Sequence, residues 1–307
     1  MKITVVGAGN VGAQCAYRLA QKQAGEVVLI DVVAGLPQGK ALDMMQAGFI
    51  EGFSTKIKGT NDYKDTKDSN VVVITAGLAR KPGMSRDDLI SKNAEIIASI
   101  VKNIVQYSPK AILIIVTNPL DVMTYFAYKL SGFDHRRVFG MAPLLDAARM
   151  QYFIAEACGD ANNIYAEVLG SHGDLMVPVP RFSTVKGKPI TEILNPEQVN
   201  NIEQKTKNGG AEIVGLLKTG SAYYAPGSAA AHMAEAVAKD KKEVIGTCCY
   251  LTGEYGLSDV YIGVPAKIGR GGVEEVIELD LLAPEKKALH DSANAVKEIC
   301  EKLTLPK

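Results

Sequence analysis

Lys2-Ile3-Thr4-Val5-Val6-Gly7-Ala8-Gly9-Asn10-Val11-Gly12 is a short β-branched run that stops at a glycine turn. A helical pattern follows from Ala13 to about Lys22, and the next apolar run, Val27-Val28-Leu29-Ile30, ends at Asp31. Strand, glycine turn, helix, strand and acid in this order form the arrangement that binds a dinucleotide. Each glycine has its own task. Gly7 permits the turn, Gly9 lets main-chain N–H groups approach a pyrophosphate, and Gly12 lets helix and strand pack closely. Ala8, Asn10 and Val11 complete the cradle, and the helix N-terminus adds positive partial charge for the phosphates. Asp31 suits the adenosine ribose hydroxyls and repels a 2′-phosphate, which predicts NAD and not NADP.

The alternation continues beyond Asp31. Leu36–Ile50 reads as a helix with Leu36, Leu42, Met45 and Phe49 near helical spacing, and Val71–Thr75 as a buried parallel strand. The breaker-rich loop 76–86 leads into a helix from about Asp87 to Tyr107, which Ser108-Pro109 ends. Ala111–Val116 is a further strand, closing on Thr117-Asn118-Pro119. Repeated strand–helix units require a parallel sheet with right-handed crossovers, and ligands bind at the carboxyl ends of its strands. Residues 7–12, Asp31, the loop after Gly77 and Asn118 all fall at those ends. The regular alternation stops around Val138–Ala142. The expected organisation is therefore α/β, with a Rossmann-type doubly wound parallel sheet over 1–142 followed by an α+β catalytic domain over 143–307.

Two features of the second half carry chemistry. Gly170-Ser171-His172-Gly173-Asp174 lies between the apolar runs Tyr165–Leu169 and Leu175–Val179, both read as strands. Its imidazole, flanked by glycine that turns tightly and leaves room for a ligand, is a natural proton carrier near neutral pH. Upstream, Asp146 and Arg149 stand three residues apart on a helix running from Pro143 toward Cys158, so they share a face. Leu144, Leu145, Ala147 and Ala148 around them argue that both charges are buried.

These residues resemble the L-lactate/L-malate dehydrogenase family along essentially the whole chain. The matching pieces are Gly-Ala-Gly-Asn-Val-Gly at 7–12, Arg-Lys-Pro-Gly-Met-Ser-Arg at 80–86, Asn-Pro-Leu-Asp at 118–121, Leu-Asp-Ala-Ala-Arg at 145–149 and Gly-Ser-His-Gly-Asp at 170–174. The resemblance implies reversible hydride transfer between NAD and a 2-keto acid, with roles that make chemical sense. His172 gives and takes the proton. Asp146 holds the ring by its other nitrogen and raises its pKa. Arg149 grips the C1 carboxylate bidentately. Arg86 stabilises charge growing on the carbonyl oxygen, and Asn118 hydrogen-bonds that oxygen and helps place the nicotinamide. Asn93, Val116 and Thr117 line the cofactor pocket. The loop 76–86 acts as a lid, and residues around Ala222 approach the substrate. One departure is Pro143, where the family usually has a small residue; it removes an N–H near the nicotinamide end.

Arg80 decides between substrates under the same resemblance, because that loop position carries Gln in lactate-type and Arg in malate-type members. Oxaloacetate has a second carboxylate for Arg80 to pair with, whereas pyruvate would leave the guanidinium enclosed without a partner. The expectation is interconversion of L-malate and oxaloacetate, as in the tricarboxylic acid cycle; the alternative is pyruvate and lactate. A nicotinamide-dependent glycosidase would need a metal-binding cysteine/histidine arrangement that the sequence does not show. A non-enzymatic NAD sensor would have no use for His172, Asp146, Arg149 and Arg86 together.

Composition agrees with a globular protein that has ample core. Of 307 residues, 47% are hydrophobic and 22% charged. Lys plus Arg and Asp plus Glu both number 34, so no global field favours nucleic acid or a membrane surface. No apolar run approaches the roughly 20 residues that span a bilayer. The five cysteines show no CxxC spacing and two are adjacent, which reads as reduced thiols and no metal site. Met1 leads directly into the first strand-like run, so a chain without a targeting segment, in the cytoplasm, is expected. His232, in an alanine-rich helix, reads as structural, and His135 and His290 as surface residues. Family members associate, so a homodimer or homotetramer is expected, with helix 36–50 as candidate interface.

Overall fold

The computed structural model describes residues 1–78 and 85–303, with Arg86 described through its main chain only. Six strands run parallel: Lys2–Val6 (β1), Glu26–Ile30 (β2), Ile57–Thr60 (β3), Val71–Ile74 (β4), Ile112–Ile115 (β5) and Val138–Pro143 (β6). Their order is β3-β2-β1-β4-β5-β6, the doubly wound arrangement. The connecting helices are Asn10–Gln21 (α1), Leu36–Glu51 (α2), Arg86–Tyr107 (α3) and Leu120–Ser131 (α4). Helices on both faces explain why β4 and β5 are buried at every position and carry no polar alternation. Strand order reverses between β1 and β4, which opens a crevice above their carboxyl ends.

After Leu144–Cys158 (α5), short strands Ile164–Tyr165 (β7), Val168–Gly170 (β8), Met176–Pro178 (β9), Thr184–Val185 (β10) and Lys188–Pro189 (β11) follow. Helices Ile190–Ile193 (α6), Pro196–Leu217 (α7) and Tyr224–Ala238 (α8) precede strands Glu243–Thr252 (β12), Ser258–Gly269 (β13) and Gly272–Val276 (β14). Ala283–Lys302 (α9) comes last among the described residues. Strands β12, β13 and β14 pair antiparallel. Strand β12 also pairs with β6, so one sheet continues from the first half of the chain into the second. Every alanine of α8 from Ala229 onward is buried, and a Cβ on Gly227 would meet Gln14 Cβ at 2.7 Å, which shows how closely α8 lies on α1.

The structure departs from the sequence reading at several places. Strand β3 and helix α4 went unread; in β3, Lys58 and Gly59 break the apolar pattern. Tyr165–Leu169 is two strands instead of one, because β7 pairs with β10 while β8 pairs with β9 in the other sheet, and between them Glu167 N–H donates to Ser183 Oγ (3.1 Å). Val138–Pro143, where the alternation seemed to stop, is the sixth parallel strand. Of the apolar residues of α2 at helical spacing, Leu42, Met45 and Phe49 face outward, with Leu42 55% and Phe49 96% exposed, while Leu36 packs against the core beside Pro37, Ala41 and Gly48.

Candidate active site

The glycine turn is built as its sequence predicts. Gly7 has φ +102°, and a Cβ there would lie 2.8 Å from Ala76 N; one on Gly12 would lie 1.8 Å from Gly7 O. Nothing lies within 4 Å of the corresponding position on Gly9, which faces the crevice. Gly9 caps α1 without a side-chain acceptor, so the first N–H groups of the helix are left for a ligand. Asp31 at the end of β2 accepts from Ala8 N–H (2.6 Å) and Val33 N–H (2.9 Å). Lys40 of α2 donates to Ala8 O (2.7 Å) from the other side of the turn. An uncapped helix end, an open glycine and a nearby carboxylate fit a pyrophosphate joined to a ribose.

The crevice floor is tied together by short polar side chains. Thr117 donates to Ala76 O (2.7 Å), which joins the ends of β5 and β4. Asn93 of α3 donates to Asn118 O (2.7 Å) and accepts from Leu78 N–H (2.8 Å). Asn93, Val116 and Thr117 are buried, as are Ala8 and Gly12, while Gly9, Asn10 and Asn118 are exposed and Val11 is half-buried. The buried members therefore shape the crevice from beneath. Arg80 and most of the loop 76–86 lie outside the described residues, as does the side chain of Arg86; the Arg86 main chain opens α3 after the Ser85–Asp88 capping box.

His172 of the 170–174 loop comes together with Asp146 and Arg149 of α5. Nδ1 of His172 lies 2.9 Å from Oδ2 of Asp146, and Nη1 of Arg149 donates to Oδ1 of the same carboxylate at 3.1 Å. A carboxylate only accepts, so Nδ1 carries its hydrogen and Nε2 is left to work on a ligand. Asp146 is 1% exposed and the Arg149 side chain 14%, so the carboxylate is buried as its apolar neighbours suggest while Arg149 is half-buried. Burial alone would lower the pKa of His172. The charge and hydrogen bond of Asp146, with a contribution from Asp121, outweigh that and the opposing Arg149 charge, so the net direction is upward.

The main chain of the 170–174 loop is pinned to two distant segments. Ser171 N–H donates to Ser292 Oγ of α9 (2.9 Å), and His172 N–H to Asp121 Oδ2 of α4 (3.0 Å). Gly170 and Gly173 take positive φ, +84° and +110°, as the turn requires. A Cβ on Gly263 of β13 would lie 2.4 Å from Pro143 Cγ and 2.5 Å from Gly170 O, so this glycine lets the strand ends before α5 and before the histidine loop meet. Pro143 itself is the last residue of β6 and directly precedes α5.

Sequence reasoning missed Asp121, Gly263 and the glycine pair 209–210 of α7. Arg149 lies against that pair, with its Nη2 3.4 Å from where a Gly210 Cβ would be. Two consecutive helix-interior glycines, each costing about 1 kcal/mol relative to alanine, were the available signal. His232 is structural in form, 2.9 Å from Glu243 Oε1, whereas His290 is half-buried with Nε2 2.9 Å from Tyr255 O and is not a plain surface residue. Ala222 precedes α8 and is half-buried. Among the described residues no group of three or more His, Cys, Asp or Glu could hold a metal ion, and no helix is long and apolar enough to cross a membrane.

Residues 1–140 match the lactate/malate dehydrogenase NAD binding domain, and residues 144–305 the lactate/malate dehydrogenase alpha/beta C-terminal domain. The chain is 53% identical to the malate dehydrogenase of Chlorobium luteolum over 305 residues, covering 99% of this chain and 98% of that one. It superposes on the malate dehydrogenase structure from Salinibacter ruber with a TM-score of 0.94 at 50% identity, covering 98% and 97% of the two chains. The lactate dehydrogenase from Cryptosporidium parvum, complexed with lactic acid and nicotinamide adenine dinucleotide, gives a TM-score of 0.94 at 41% identity, covering 98% and 96%.

Proposed function

Because the chain belongs to the lactate/malate dehydrogenase family, we propose that it interconverts L-malate and oxaloacetate with NAD as hydride carrier. The observation that carries this reading is the His172–Asp146 contact of 2.9 Å, with Arg149 on the second carboxylate oxygen. The relatives at 50–53% identity that bear the name malate dehydrogenase favour oxaloacetate over pyruvate, in line with Arg80.

When bound, the nicotinamide supplies the hydride that reaches C2 of the keto acid. His172, protonated on Nε2, donates to the carbonyl oxygen and recovers that proton in the reverse direction. Asp146 fixes the ring and stabilises its positive form. Arg149 holds the C1 carboxylate through two parallel hydrogen bonds, and Arg80 takes the C4 carboxylate. Arg86 and Asn118 stabilise the negative charge that grows on the carbonyl oxygen. The cofactor contacts are Gly7, Ala8, Gly9, Asn10, Val11, Gly12, Asp31, Asn93, Val116, Thr117 and Asn118. Residues 1–142 thus form the cofactor domain and 143–307 supply His172, Asp146 and Arg149.

A second copy of this chain covers the outward apolar face of α2, where Phe49 is 96% and Ile50 87% exposed, giving a homodimer or homotetramer that sedimentation would detect. All five cysteines are free thiols, which suits a reducing cytoplasm. The deciding assay is NADH oxidation with oxaloacetate and pyruvate side by side. Faster turnover of oxaloacetate is expected; a preference for pyruvate would move the chain to the lactate-type members.

A further inference from the structure

Asp121 stands in the first turn of α4 with 4% of its surface exposed. Its Oδ2 accepts the main-chain N–H of His172 at 3.0 Å, and among the described residues its Oδ1 has no N–H or O–H partner, only the weakly donating thiol of Cys248 close to the carboxylate. A buried carboxylate with an unpartnered oxygen is costly. An amide at this position would accept the same N–H without a charge, so anchoring the loop does not explain the acid. The groups facing Asp121 are the thiol of Cys248 on β12, the thiol of Cys300 on α9, and His172 itself. Asp146 and Arg149 of α5 face His172 as well. Among the described residues His172 is the group whose positive form compensates Asp121.

We propose that Asp121 is a positioning residue for the proton step: it anchors the main chain of His172 and, as a second anion beside Asp146, favours the protonated ring. The inference rests on the reading of His172 as the proton carrier. Burial pushes the Asp121 carboxyl up to about 6, so this anion is held close to neutralisation and gains most from a charged imidazole. Removing the anion lowers the pKa of His172. Reduction of oxaloacetate requires the protonated ring, so its rate then declines at lower pH.

The test is kcat/KM for oxaloacetate with NADH across pH, for the wild type and Asp121→Asn. The midpoint of the alkaline decline should move down by about one pH unit in the variant. Asp121→Ser, which also keeps an oxygen without a charge, serves the same comparison where the amide variant does not fold. A midpoint that coincides with the wild type or moves up overturns the inference, whatever the plateau rate. His172→Asn separates the two readings: turnover that survives with the same alkaline decline would remove His172 as proton carrier, independently of Asp121.

Discussion

Asp31 accepts the main-chain N–H of Ala8 at 2.6 Å, so the acid at the end of β2 is also the brace of the glycine turn. A carboxylate has about four acceptor positions, and the bonds to Ala8 and Val33 leave others for ribose hydroxyls. Cofactor choice and turn geometry are therefore coupled through one side chain.

Asp31→Asn should shift cofactor preference. The amide keeps an acceptor near Ala8 and drops the charge that repels a 2′-phosphate. The ratio of kcat/KM for NADPH to that for NADH should rise about tenfold, equivalent to about 1.4 kcal/mol. Steady-state rates with both cofactors check this, and wild-type rates with NADPH equal to those with NADH would contradict the assignment.

Arg80→Gln should lower kcat/KM for oxaloacetate far more than for pyruvate. Sites built around a polar partner can discriminate by about 10⁴ against ligands that lack it. Equal losses on both substrates would show that Arg80 does not meet the C4 carboxylate.

Arg149→Lys keeps the charge but loses the planar fork. We expect kcat/KM for oxaloacetate to fall about a hundredfold, or about 3 kcal/mol, with NADH affinity by fluorescence titration little changed. Retained kcat/KM would mean that a point charge suffices and that the fork plays no part.

Glu167 gives a stability prediction. It is 4% exposed and accepts from the Tyr165 hydroxyl, and burial pushes its carboxyl up to about 7. Between about pH 4.5 and 7 the folded chain holds a proton that the unfolded chain has released, so stability falls as pH rises through that window. The loss is up to about 3 kcal/mol. Glu167→Gln should flatten the dependence and raise Tm at about pH 8 relative to the wild type. Parallel curves of Tm against pH for the two proteins would sink this account.

Local chemistry made part of the molecule legible from residues alone. The glycine turn, the strand runs 71–74 and 112–115 and the acid at 31 each announce themselves, because backbone geometry and burial on both faces restrict the residue types directly. Helix α4 and strand β3 were less legible, since neither their ends nor their apolar spacing stand out. The motif at 118–121 was visible while the task of Asp121 was not, because its partner His172 lies 51 residues further on.

The amino-acid order by itself determined four of the six parallel strands and the residue types able to move a proton and bind carboxylates. Tertiary structure alone decided that one buried carboxylate serves both His172 and Arg149, and that Gly263 lets the strand ends bearing them converge. The reason is physical. Turn and strand preferences act over a few residues, whereas sharing a buried charge depends on how separate elements pack, and no local pattern encodes that distance.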